Sequence, residues 1–115
     1  MMAENISGEN YEVNFDPELR VVALSGVLRL NGLIEYAPIA SLLSRLLSCE
    51  GPGILDLSAL EFLNSSGIAV LSKFIIEARN RQVDLTLKGS NLIAWQTKSL
   101  VNLQRLMPSL QMELA

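Results

Sequence analysis

The sequence predicts an α/β fold, one sheet of about five strands joined by crossover helices. Three observations carry this. Apolar and polar residues alternate, the period of a strand with one wet face, over Tyr11–Asp16 and again over Val83–Lys88. Apolar residues recur at helical spacing at Ile39, Leu42, Leu43, Leu46 and Leu47, and again at Ile68, Leu71, Ile75 and Ala78. Short turn signals separate these runs, with no internal repeat, linker or low-complexity stretch.

Met1 to Asn10 is polar and lacks the basic start and apolar run of a signal peptide, so residues 1–9 are expected to be flexible. Tyr11, Val13 and Phe15 form the apolar side of a first strand. Asp16-Pro17-Glu18 reads as a turn, because proline presets the dihedral of a turn's second residue. Leu19 to Ser25, ending at Gly26, is a second strand, apolar on both faces at Val21, Val22, Ala23 and Leu24, and forms a hairpin with the first. Gly26 to Gly32 has no single period and closes on the turn dipeptide Asn31-Gly32.

A helix from Ile34 or Pro38 to about Leu47 follows, with Pro38 expected in its first turn, where a missing N–H costs nothing. After the loop Glu50-Gly51-Pro52-Gly53, a central strand starts at Ile54. The next helix, from about Ser65 to Arg81, turns Lys73, Glu77 and Arg81 to water. Val83, Leu85 and Leu87 mark the fourth strand. Leu92 to Met107 is the last helix, stopped by Pro108, and Leu110, Met112 and Leu114 make a final edge strand.

The 115 residues suit a single domain, residues 1–115, large enough to bury a core without staples. Half the residues are hydrophobic but only 5% are aromatic, so the core is built from Leu, Ile, Val and Ala. A net charge of −3 argues against nucleic acid, whose phosphates demand dense Lys and Arg. The most apolar span, Leu33 to Cys49, is broken by Glu35, Pro38 and Arg45 and falls short of the ~20 residues that cross a bilayer. No membrane contact is expected. The single cysteine, Cys49, has no internal disulfide partner, which suits a reducing, cytoplasmic location.

Catalysis finds little support. Without histidine there is neither a Ser-His-Asp triad nor the commonest metal ligand, and one cysteine argues against a zinc or iron–sulfur centre. No nucleophile elbow and no phosphate-binding Gly-Lys loop occurs. Asp56 and Glu61 read as solvated acids rather than a catalytic pair. The expectation is a non-enzyme without cofactor or metal.

The stretch that carries function is residues 54 to 68. Its strand Ile54-Leu55-Asp56-Leu57 leads through Leu60, Phe62 and Leu63 to the polar cluster Asn64-Ser65-Ser66-Gly67, where helical spacing begins. Hydroxyls and backbone N–H groups thus meet at a helix N-terminus, an end that favours negative charge. The residues alone leave two readings open. The serines are an N-cap, a gain of ~1 kcal/mol over alanine, or one of them receives a phosphate. Gly67 permits close packing of the helix end, and Asp56 ends its strand by bonding loop N–H groups. Trp95 reads as a core or rim residue.

This segment resembles the signature of the STAS domain, shared by sulfate transporters and bacterial anti-sigma-factor antagonists. Asp56-Leu57-Ser58 matches the family's strand-ending turn, and Asn64-Ser65-Ser66-Gly67-Ile68 matches its helix-opening motif with Asn in place of the usual Asp. The resemblance implies a mixed sheet with helices packed mainly on one face. It implies a stand-alone regulator that binds proteins in a partner-switching circuit. The acceptor maps to Ser65, a serine kinase of the anti-sigma-factor type would phosphorylate it with ATP and Mg²⁺, and a phosphatase would reverse the step. Asn64, Ser66, Gly67, Lys73 and Glu77 are the expected switch and partner contacts.

Asn64 favours one alternative, a non-phosphorylated scaffold or binding module. A second, a nucleotide- or anion-binding domain, is opposed by the scarcity of basic residues near the turn, Lys73 being the nearest. Since an amide and a carboxylate both cap helices, Asn64→Asp is expected to shift stability by no more than roughly 1 kcal/mol.

Overall fold

Six strands lie side by side in chain order in the computed structural model, which describes residues 4–115. The elements are β1 Glu4–Ser7, β2 Tyr11–Asp16, β3 Val21–Leu28, α1 Gly32–Ser48, β4 Gly53–Leu63, α2 Ser65–Asn80, β5 Leu85–Gly89, α3 Ala94–Leu106 and β6 Gln111–Leu114. β1, β2 and β3 pair antiparallel, whereas β3 to β6 pair parallel. The sheet is therefore mixed.

Each parallel crossover steps one strand further in the same direction. Right-handed connections then place all three helices over one face. That face is dry: Val13, Phe15, Val22, Leu24, Leu55, Leu57, Leu85 and Leu87 are buried with Leu42, Leu46, Leu71, Ile75, Leu100 and Leu103 of the helices. The other face is wet. A row of aligned residues crosses it, Asn14, Ala23, Asp56 and Lys88, each half-buried or exposed.

Four local expectations change. Glu4–Ser7, within the segment expected to be flexible, is a sixth strand, pairing Glu4 with Phe15 and Ile6 with Val13, and Ile6 packs on the core. Residues 1–3 of that segment lie outside the described residues. β3 continues past Gly26 to Leu28, because Gly26 at φ +86 absorbs a register shift while Val27 N–H reaches Asn10 O at 2.8 Å. α1 starts at Gly32, so Pro38 lies inside the helix rather than in its first turn. The carbonyl that Pro38 leaves without an N–H is that of exposed Ile34, where water can serve it.

The fourth change concerns β4. Asp56 does bond the Ser58 N–H (2.9 Å) and hydroxyl (2.6 Å), but the strand does not end there. At Asp56 it leaves β5 and follows β3 alone to Leu63. Side chains of α3 replace the lost ladder. Gln96, fully buried, donates from Nε2 to Leu57 O (2.6 Å) and Leu60 O (2.9 Å), while its Oε1 accepts from Ser90 N–H (2.7 Å). Trp95 Nε1 donates to Leu60 O at 3.0 Å, so it is a half-buried clamp on this bend.

Candidate functional site

At the carboxyl edge of the parallel strands, one residue joins β4 to α2. Asn64 is the N-cap of α2, with extended backbone at φ −80 and ψ 176. Its Oδ1 accepts from Gly67 N–H (3.0 Å) and from the Tyr36 hydroxyl (2.7 Å). Its Nδ2 donates to Leu30 O at 2.8 Å. Its backbone N–H reaches Leu28 O (3.2 Å), and its carbonyl accepts from Ile68 N–H (3.0 Å). Asn64 thus ties together the end of β3, the first turns of α1 and the start of α2. A carboxylate could keep the first two side-chain bonds but has no proton for Leu30.

Because Asn64 supplies the cap, the serines do not. Ser65 is the first residue of α2 and is exposed, and Ser66 is half-buried. Neither hydroxyl enters a hydrogen bond among the described residues. The Ser65 and Ser66 N–H groups stand in the first turn, where no intrahelical partner exists. Free hydroxyls therefore sit at the positive end of a helix dipole.

Two neighbours hold this end rigid. Gly67 is buried, and a Cβ there would press on Leu63 Cγ at 2.7 Å and the Tyr36 hydroxyl at 2.8 Å. It is a packing residue, which corrects its expected place among the partner contacts. Tyr36 is almost wholly enclosed, and burial raises its phenol above the usual value, with the Leu30 backbone acting in the opposite sense.

Ser65, Ala69, Lys73 and Glu77 form an exposed row along α2. Lys73 and Glu77 also line a groove of about 630 Å³ between α1 and α2, together with exposed Leu33 and Ala37 and buried Val70 and Phe74. Glu77 lies 3.6 Å from Arg81, a solvated pair one turn apart that adds little stability. Large apolar side chains also stand exposed near this end: Leu33 and Ile34 at the start of α1, and Phe62 two residues before Asn64. Arg29 lies over the Phe62 ring, 4.7 Å from its centroid. Asp56 stands apart, on the wet face and bonded to Ser58.

Sequence reasoning missed Tyr36, Leu33, Ile34 and Phe62. A signal existed only for Leu33 and Ile34, apolar residues that fall off the core stripe of their helix. Tyr36 gives none, since its partner lies 28 residues away. Among the described residues no cluster of acidic, cysteine or histidine side chains could hold a metal ion, and no helix is long and apolar enough to cross a membrane.

The sequence profile of the STAS domain matches residues 16–113. No curated protein matches the chain. Among solved structures, the chain is similar to one in the complex of diguanylate cyclase SiaD with its activator SiaC from Pseudomonas aeruginosa. The TM-score is 0.74 and the identity 16%, over 96% of this chain and 97% of that one. It is also similar to SiaC of Pseudomonas aeruginosa, with TM-score 0.68 and 17% identity over 100% of this chain and 97% of that one. The apo form of SiaC gives the same TM-score and identity over 99% and 98%. These likenesses establish the shared fold. With the profile spanning most of its length, the chain belongs to the STAS domain family.

Proposed function

We propose that this chain is a protein-binding regulatory module of a partner-switching circuit, controlled by reversible phosphorylation of Ser65. The observation that carries the proposal is the division of labour at the start of α2. Asn64 caps the helix, so the exposed Ser65 hydroxyl is free to react without loosening the fold.

The ATP, metal and base belong to the kinase, and this chain supplies the nucleophile and the docking surface. The Ser65 oxygen attacks the γ-phosphorus, its proton passes to the kinase base, and ADP leaves. A phosphatase restores the hydroxyl with water. The phosphate adds about −1.5 to −2 charges at a dipole end that tolerates them. The same charge alters a surface shared with exposed Leu33, Ile34 and Phe62, where an apolar partner contact would be weakened. The fold persists while the interface changes.

The likeness to SiaC, named as the activator of a diguanylate cyclase, supports an enzyme as the regulated partner. Asn64 in place of Asp supports the second reading, a scaffold that binds the same partner without phosphorylation.

Calorimetry of the chain and its Ser65→Asp variant with the partner, beside a melting curve for each, tests the switch. The expected result is weakened binding with cooperative unfolding retained, since a carboxylate in the first turn suits the dipole. An unfolded variant sinks the proposal. So does unchanged binding, if true phosphorylation also leaves affinity unchanged, and the scaffold reading then stands.

A further inference from the structure

We infer that Asn31-Gly32 is a site of spontaneous deamidation, a covalent modification that places a negative charge at the start of α1. In this reaction the glycine amide nitrogen attacks the asparagine side-chain carbonyl carbon. A Cγ–N bond forms and the side-chain nitrogen leaves as ammonia. Water then opens the five-membered imide at either carbonyl, giving aspartate or isoaspartate. One water enters for each ammonia lost, and no oxidant or reductant is needed.

A fold suppresses this chemistry by burying the amide, tying it in hydrogen bonds or crowding the glycine. None of these applies here. Asn31 and Gly32 are both exposed. The Asn31 side chain makes no cap hydrogen bond, although it occupies the N-cap of α1. The Gly32 N–H opens the helix, where no intrahelical acceptor exists. Nothing lies within 4 Å of where a Cβ on Gly32 would be. Asn31 is extended, with ψ 112, so ring closure requires the Asn31–Gly32 peptide to rotate. Gly32, at φ +66 and without a side chain, allows that rotation.

Asn64 is the internal comparison. It too is an N-cap, but its side-chain amide is fixed by Tyr36, Gly67 and Leu30, and Ser65 follows it. The fold protects one cap and leaves the other open. An aspartate at position 31 would suit the helix dipole but would lie beside Glu35, whose Oε1 accepts from Asn31 N–H at 3.0 Å. Deamidation at Asn31 is independent of phosphorylation at Ser65.

The test is to age the whole chain at neutral and mildly alkaline pH, folded and in urea, with peptide mapping that separates aspartate from isoaspartate. Asn31 should convert several times faster than any other asparagine in the folded chain, at a rate close to that in urea and rising with pH. Asn64 should convert measurably only in urea. Asn31→Gln, which can close only a less favoured six-membered ring, should abolish the product and leave the melting curve unchanged. Protection of Asn31 by the fold to the extent seen for Asn64 would overturn the inference, as would the same product forming in Asn31→Gln.

Discussion

At the scale of single residues, Asn64 decides how the site is built. An Asp here would leave the Leu30 carbonyl without its donor and set a carboxylate against it. Asn64→Asp should therefore destabilise the fold by about 1–3 kcal/mol at neutral pH, read as a lower urea midpoint with unchanged slope. This revises the smaller effect expected from cap chemistry alone. The residue type was legible as a cap. Its amide-specific role was not, because Leu30 lies 34 residues away. Tyr36→Phe removes one bond to Asn64 and should cost about 0.5–1.5 kcal/mol. Burial raises the Tyr36 pKa above 10.0, so its contribution is complete below pH 10.0 and is lost as pH rises through the folded-state value. The stability difference between parent and Tyr36→Phe should accordingly shrink in alkaline denaturation experiments.

At the scale of elements, periodicity, apolar runs and turn signals together located three helices and five of the six strands. The misplacements have physical causes. β1 was missed since Glu4-Asn5-Ile6-Ser7 holds one large apolar residue and depends on pairing with β2. α1 starts before Pro38 because the proline's missing bond falls on a solvated side, where a helix tolerates it. β4 looked as if it ended at Asp56 because the strand bends there, and its continuation is held by Trp95 and Gln96, 35 to 39 positions later in the chain. Gln96 makes that bend possible. Gln96→Leu keeps the volume nearly constant but strips the Ser90 N–H and Leu57 O of their partner. It should cost about 2 kcal/mol or more, as a lower melting temperature. A variant as stable as the parent would show that water replaces the amide there.

At the scale of the whole molecule, the α/β class and the dry helical face follow from alternation and helical spacing, while the strand order emerges from topology. Three crossovers in one direction bring the N-termini of α1, α2 and α3 to one edge of the sheet, at Gly32, Ser65 and Ala94. The motif was legible because it is local. The apolar rim of Leu33, Ile34 and Phe62 was not, since it joins two segments the fold brings to the same edge. Replacing Ile34, exposed at 89%, with Ser should leave the melting temperature almost unchanged and weaken partner binding measured by calorimetry. Equal affinity would remove the rim from the proposed interface.

In the proposed switch, the free Ser65 hydroxyl at the first position of α2 accepts the regulatory phosphate. Its most direct test is intact-mass and peptide mapping after incubation of the chain with ATP, Mg²⁺ and the kinase that co-purifies with it. The expected result is one phosphate, located at Ser65, abolished by Ser65→Ala and retained in Ser66→Ala. Phosphate found only at Ser66, or no transfer from a kinase that is active and binds the chain, would contradict it.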